Sequence, residues 1–284
     1  MAATPATDWR CGRFTMQLDR PRVMGILNVT PDSFSDGGLF VEPGAAVAHA
    51  REMVGAGADI IDVGGESTRP GAPPVSPEEE LARVLPVVET IASDVDVPVS
   101  IDTRQAVVAR VCVEAGASII NDVSGFRDPA MIGVAAACDA GLVVMHMLGE
   151  PRTMQTEPRY DDVVAEVRAY LLSRARELEV AGIAAGRIAL DPGIGFGKTT
   201  RHNLELLHGL DVYADTGYAL LIGVSRKRFI GEITGEPEPA ERLAGSLAAA
   251  IWSALHGAHV LRVHDVRETV GALATIGAID GMRP

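Results

Sequence analysis

Along the chain one unit recurs: a short apolar run, a loop, then a longer stretch with apolar residues at helical spacing. The runs are residues 23–28, 59–63, 97–102, 118–122, 142–146, 187–191, 219–224 and 259–264. They are continuous rather than alternating, as in strands buried on both faces of a parallel sheet. Between them, Val163, Val167, Leu171 and Leu178 share a helical face, and Leu243, Leu247, Ile251 and Leu255 form an i, i+4 stripe. Ser76-Pro77 ahead of Glu79 and Glu80, and Asp128-Pro129, have the form of helix starts. Eight strands alternating with helices predict an α/β chain closed as a TIM (β/α)8 barrel rather than an open sheet. A short N-terminal extension, residues 13–18, is expected to add a strand at the barrel bottom. No low-complexity tract or Ser/Gly linker interrupts the pattern, so residues 1–284 read as one domain.

A barrel of this kind places its active site at the C-terminal ends of its strands. Those ends carry Asn28, Asp62, Asp102, Asn121, His146, Asp191, Ser225 and His264. Any one of them reads equally well as a strand or helix cap. All eight together favour a ligand. Three carboxylates and two carboxamides suit a flat heterocycle rich in N–H donors, because carboxylates take paired donors bidentately. The cationic counterpart is Ser225-Arg226-Lys227-Arg228 after strand seven, with Arg262 and His264 on strand eight. Barrels often bind phosphate there. The Arg-x-His spacing puts both side chains on one strand face.

Composition narrows the partners. A net charge of −13 argues against nucleic acid, whose non-specific binding draws on Lys and Arg. Small anionic substrates need only a local cationic patch. Cys11, Cys112 and Cys138 share no metal-ligand spacing, and the N-terminus has no apolar signal region, so a cytoplasmic protein without membrane contact is expected. A zinc site is not expected, since the histidines form no H-x-x-x-H pair. Asn28 with Asp36 and a diphosphate instead suits Mg2+, which prefers oxygen ligands. The glycine-rich stretch 191–199 fails the P-loop spacing, because Pro192 stands where the first glycine belongs, and no G-x-G-x-x-G occurs in it. It reads as a loop approaching a planar ligand by its backbone. Residues 30–38 and 64–71 read as lids or as plain connections.

Several motifs resemble the dihydropteroate synthase family. They are Gly25-Ile-Leu-Asn-Val-Thr-Pro-Asp-Ser-Phe-Ser-Asp-Gly-Gly38, Asp62-Val-Gly-Gly-Glu-Ser-Thr-Arg-Pro-Gly71, Ser100-Ile-Asp-Thr103, Asn121-Asp-Val-Ser-Gly125 and Met145-His-Met147. Asp191-Pro-Gly-Ile-Gly-Phe-Gly197, Ser225-Arg-Lys227 and Arg262-Val-His-Asp265 complete the ordered set. The resemblance implies a homodimeric transferase of folate biosynthesis, of the kind that sulfonamides target. Such an enzyme joins a pterin diphosphate to p-aminobenzoate through a pterin-methyl cation and releases diphosphate.

The resemblance also implies residue roles. Asp102, Asn121, Asp191, Lys227 and Arg262 would hold the pterin; Asn28, Thr68, Arg262 and His264 the diphosphate, with Mg2+ at Asn28. Phe34, Thr68, Arg69, Pro70, Phe196 and Lys227 would shape the aminobenzoate pocket. Asp36, Asp102, Lys227 and Arg262 would carry the chemistry. Arg228 departs from the pattern, standing where many relatives carry Ser. Two other readings are a methyltetrahydrofolate methyltransferase and a catalytically silent pterin-binding paralogue. The first has no need of the Arg262/His264 anion site. The second should have lost loop residues such as Asn28, Asp36, Thr68 and Arg69, which are all present.

Overall fold

In a computed structural model the chain is described over residues 6–30, 43–66, 75–150 and 153–281. A two-stranded antiparallel hairpin, β1 (Asp8–Cys11) and β2 (Phe14–Gln17), precedes the barrel. Eight parallel strands follow: β3 (Arg22–Asn28), β4 (Ile60–Gly64), β5 (Val99–Asp102), β6 (Ile119–Asp122), β7 (Gly141–Met145), β8 (Ile188–Asp191), β9 (Ala219–Ile222) and β10 (Val260–Val263). They close in the order β10-β3-β4-β5-β6-β7-β8-β9, the TIM barrel expected from the apolar runs. The N-terminal extension forms the expected strand at residues 14–17, and it pairs with β1, a second strand the sequence pattern did not predict.

The barrel interior is built in two tiers, which follows from the two-residue side-chain period of a strand. In the lower tier Met24, Ile60, Ile119, Val143, Ala189, Leu221 and Val260 pack together, plugged from below by Trp9, Cys11 and Met16 of the hairpin. Trp9 is fully buried, and its indole N–H donates to the Arg187 carbonyl at 2.9 Å. Two residues further along six of these strands stand Asp62, Asn121, Met145, Asp191, Gly223 and Arg262. The same inward face that seals the bottom with hydrocarbon therefore turns polar at the mouth.

The outer helices obey their start signals. Ser76 caps Pro77–Asp94 by accepting from the Glu79 N–H, and Asp128 caps Pro129–Ala136 by accepting from Ala130. Helix Val163–Val180 buries Val163, Val167, Leu171, Ala175 and Leu178, as its periodicity predicts. Helix Leu243–Leu255 does not follow its stripe. It turns Ser246, Ala250 and Ser253 inward and leaves Leu243, Leu247 and Ile251 half-buried, with Trp252 and Leu255 exposed. Small residues let it approach the barrel closely, so its large apolar side chains face away. Among the described residues no helix is long and apolar enough to cross a membrane.

Candidate functional site

The barrel mouth holds a cleft lined by Asp102, Asn121, Asp191, Lys227 and Arg262 with Val123, Met145, Ile194, Phe196 and Gly223. Strand register sets its polar wall: Asp102 pairs with both Gly64 and Asn121 across neighbouring strands. At its centre the Arg262 guanidinium is shared by two carboxylates, Nε donating to Asp62 and Nη2 to Asp102, each at 2.6 Å. Asp62 is fully buried and also accepts from Asn121 Nδ2 at 3.2 Å. Of the five guanidinium N–H donors two are committed here, which leaves three for a ligand.

Burial dominates the electrostatics. It pushes Asp102 up to about 7; Arg262 pulls against the rise, while Asp62, Glu80 and Asp122 add to it. Asp191 is also raised by burial, against the Gly193 N–H and Lys227. Burial works against the Arg262 cation too, but Asp62 and Asp102 outweigh it and the pKa rises. Lys227 falls to about 8 through burial and the Arg262 charge. Its Nζ lies 4.0 Å from the centre of the Phe196 ring, a cation–π arrangement that sets an aromatic wall beside the cation.

His264 lies just past β10. Ser225 Oγ accepts its backbone N–H at 3.2 Å and sits 3.0 Å from its Nδ1. The same hydroxyl thus holds both the backbone and the ring of His264 in place. Burial, then Arg262 and Arg226, push the ring down to about 3. Burial and the neighbouring cations thus favour the neutral imidazole, and Lys227 and Arg262 carry the positive charge beside it. Asn28 ends β3. A Cβ added at Gly64 would lie 3.8 Å from Asn28 Oδ1 and 3.8 Å from Asp102 Oδ2, so the glycine keeps open the space between two oxygen donors.

Three sequence expectations change. Arg226 is not a mouth cation, because it pairs with Asp265; Arg228 points outward to Glu232. Among the described residues, Lys227 and Arg262 are the cations that line the cleft. His146, though it follows a strand, turns its ring away to Lys198 and Tyr170. Conversely Asp62 anchors the Arg262 fork, a role its position at a strand end hinted at without specifying. Phe34, Asp36, Thr68, Arg69 and Pro70 lie outside the described residues. Among the described residues no cluster of His, Cys, Asp and Glu is arranged to hold a metal.

A closed (β/α)8 barrel with a carboxylate- and carboxamide-lined mouth and buried cations defines the class of pterin-binding barrels. Residues 24–264 match the family described as pterin binding enzyme. The dihydropteroate synthase of Neisseria meningitidis serogroup C is 51% identical over 269 residues, covering 93% of this chain and 95% of the relative. A dihydropteroate synthase from Xanthomonas albilineans, solved with 4-aminobenzoic acid, superposes with a TM-score of 0.92 at 47% identity, covering 98% and 100% of the two chains. The same organism's enzyme in complex with 7,8-dihydropteroate gives a TM-score of 0.89 at 45% identity, covering 97% and 100%. The chain belongs to the dihydropteroate synthase family.

Proposed function

We propose that this chain condenses (7,8-dihydropterin-6-yl)methyl diphosphate with p-aminobenzoate, giving 7,8-dihydropteroate and diphosphate. The observation that carries this reading is the Arg262 fork between Asp62 and Asp102, in a cleft that also presents Asn121, Asp191 and Lys227. The carboxylates and Asn121 suit the N–H edge and ring nitrogens of a pterin. Lys227, the free donors of Arg262 and the His264 ring suit a diphosphate. Thr68, Phe34, Arg69 and Pro70 are proposed, from the family pattern, to complete the diphosphate and aminobenzoate subsites.

The chemistry needs no covalent nucleophile. The bond between the pterin methylene carbon and the diphosphate oxygen breaks, and its electron pair leaves on diphosphate. The resulting pterin-methyl cation is delocalised, and Asp102 and Asp191 line the cleft around it with carboxyl groups. The amine lone pair of p-aminobenzoate then forms the new C–N bond, and one amine proton is released. Arg262, Lys227 and His264 meet the charge that accumulates on the leaving group. Asn28 offers a neutral oxygen of the kind Mg2+ takes beside phosphate oxygens and water, and the side-chain-free Gly64 leaves the approach to that oxygen unblocked. When bound, Mg2+ would neutralise diphosphate charge. Asp36 is proposed to help order that arrangement.

A cytoplasmic homodimer is the proposed assembly. It is supported by the half-open apolar side of helix Leu243–Leu255 and by the exposed Leu204, Ile233, Trp252 and Leu255. The function is tested by following diphosphate release with each substrate alone and with both. Sustained release only with both substrates is expected. Pterin binding without turnover would instead mark a silent paralogue and overturn the reading.

A further inference from the structure

The segment that follows Asp191 at the end of β8 and carries Phe196 into the cleft has no regular structure of its own, and one buried side chain ties it together. Gly193, Gly195 and Gly197 all have positive φ, so the backbone reverses repeatedly and its carbonyls need partners. Gly193 admits no side chain, because a Cβ there would lie 1.9 Å from the His146 carbonyl oxygen. Gln155 Nε2 donates to the Gly195 carbonyl at 2.7 Å, and the Tyr160 hydroxyl donates to Gly197 at 2.9 Å.

The remaining carbonyls converge on Lys198, which is 3% exposed. Its Nζ lies 2.9 Å from the Gly193 oxygen, 2.9 Å from the Phe196 oxygen and 3.0 Å from His146 Nδ1. The His146 carbonyl stands further off at 3.4 Å. Two of these contacts are to carbonyls that can only accept, so Lys198 donates to both, and its third position meets the His146 ring nitrogen. Burial pushes the Lys198 pKa down to about 7, yet the acceptor set favours the charged form. Lys198 does not line the cleft. Its partners do the work there: the Gly193 N–H donates to Asp191 Oδ1 at 2.7 Å, and the Phe196 ring lies under Lys227.

We propose that Lys198 is a positioning residue for the pterin site, an internal ammonium that clamps the Gly193–Phe196 turn against His146 and so aims Asp191 and Phe196 into the cleft. The proposal rests on the reading that this cleft takes a pterin. It gives the lysine of the failed P-loop motif a use opposite to phosphate binding, with every donor directed into the protein.

The test is calorimetric titration of a pterin into the full chain, which separates affinity from the number of competent sites. Lys198→Met keeps the length and removes the donors; its competent sites should bind pterin about tenfold more weakly, with Lys198→Arg recovering part of the loss. A merely structural lysine would lower the number of competent sites and leave their affinity alone. Should Lys198→Met fold poorly, His146→Leu removes one acceptor outside the cleft and should weaken pterin binding by about fivefold. Affinity within about twofold of the parent in whichever variant folds overturns the proposal, taking about 1 kcal/mol per hydrogen bond as the expected scale. If the parent chain binds no pterin, the functional reading fails instead.

Discussion

Asp62→Asn isolates the group on which the cleft is organised. Asp62 is fully buried, and its carboxylate accepts from Arg262 Nε at 2.6 Å and from Asn121 Nδ2 at 3.2 Å. A carboxamide has one oxygen where the carboxylate had two, and an NH2 that must face a donor. Turning its oxygen to Arg262 keeps a weaker, neutral-acceptor bond and sets NH2 against Asn121. Losing a charge-assisted bond costs about 1.5–3 kcal/mol and stranding a buried donor about 1–3 kcal/mol. Together these give about 2.5–6 kcal/mol, a range that brackets the about 3–5 kcal/mol cost of breaking a buried ion pair from one side, which is taken as the expected loss. The substitution also relieves Asp102 of a like charge. That offset is the smaller effect, since burial rather than Asp62 is the first cause of the Asp102 rise. In a chain this long the Tm should fall by roughly 6–15 °C. Pterin affinity should fall at least about fivefold as the Arg262 fork loosens. Circular dichroism melts and calorimetry read the two effects separately. A Tm within about 2 °C of the parent, a change worth under 1 kcal/mol, together with unchanged pterin affinity, would refute the reasoning.

Glu80 is fully buried, and neither oxygen has a partner at full hydrogen-bond geometry; burial lifts it from 4.5 to about 7, the nearby Thr103 hydroxyl eases the rise without closing a bond, Glu66 adds to it, and Arg104 and Arg83 oppose it. A carboxyl raised in the fold holds its proton longer than in the unfolded chain, so its contribution is present below pH 4.5 and is lost as pH rises through about 7. Glu80→Gln should therefore flatten the stability profile in that window and stabilise the protein at pH 8 by on the order of 3 kcal/mol; denaturant melts across pH check this. Ser225→Ala removes the hydroxyl that holds the His264 ring and should weaken a diphosphate-bearing pterin about fivefold while sparing hydroxymethylpterin; equal losses for both ligands would remove His264 from the anion site. A sulfonamide should bind at least roughly fivefold better once Mg2+ and diphosphate are present, and equal affinity in both titrations would mean a preformed second pocket.

Much of this architecture is legible in the chain because barrel strands buried on both faces write themselves as continuous apolar runs. Their polar ends announce the mouth, and Asp102, Asn121, Asp191, Lys227 and Arg262 indeed converge there. Local strength does not reveal how charges are shared. The Arg262–Asp62 bond joins residues 200 positions apart, so nothing near Asp62 marks it as an anchor. Arg226 and Arg228 look like mouth cations in a basic run but find Asp265 and Glu232. The first hairpin arm is four residues long, and its Trp9 becomes intelligible only with the barrel bottom it seals. Helix Leu243–Leu255 defeats periodicity because its buried face is made of small residues rather than large apolar ones. Lys198 hides behind a glycine pattern that suggests phosphate until its acceptors are seen.

The central claim is that carboxylates at the barrel mouth read the N–H edge of a pterin, and Asp191→Asn tests it most directly. The substitution replaces an acceptor by a group that also donates, in a cleft where the Gly193 N–H already faces the side chain at 2.7 Å. Such a buried mismatch costs about 1–3 kcal/mol, more where the lost acceptor is charged. Calorimetric titration of a pterin should show affinity at least about tenfold below that of the parent, with the fold intact by circular dichroism. Undiminished affinity in the folded variant would take Asp191 out of the site and contradict the account.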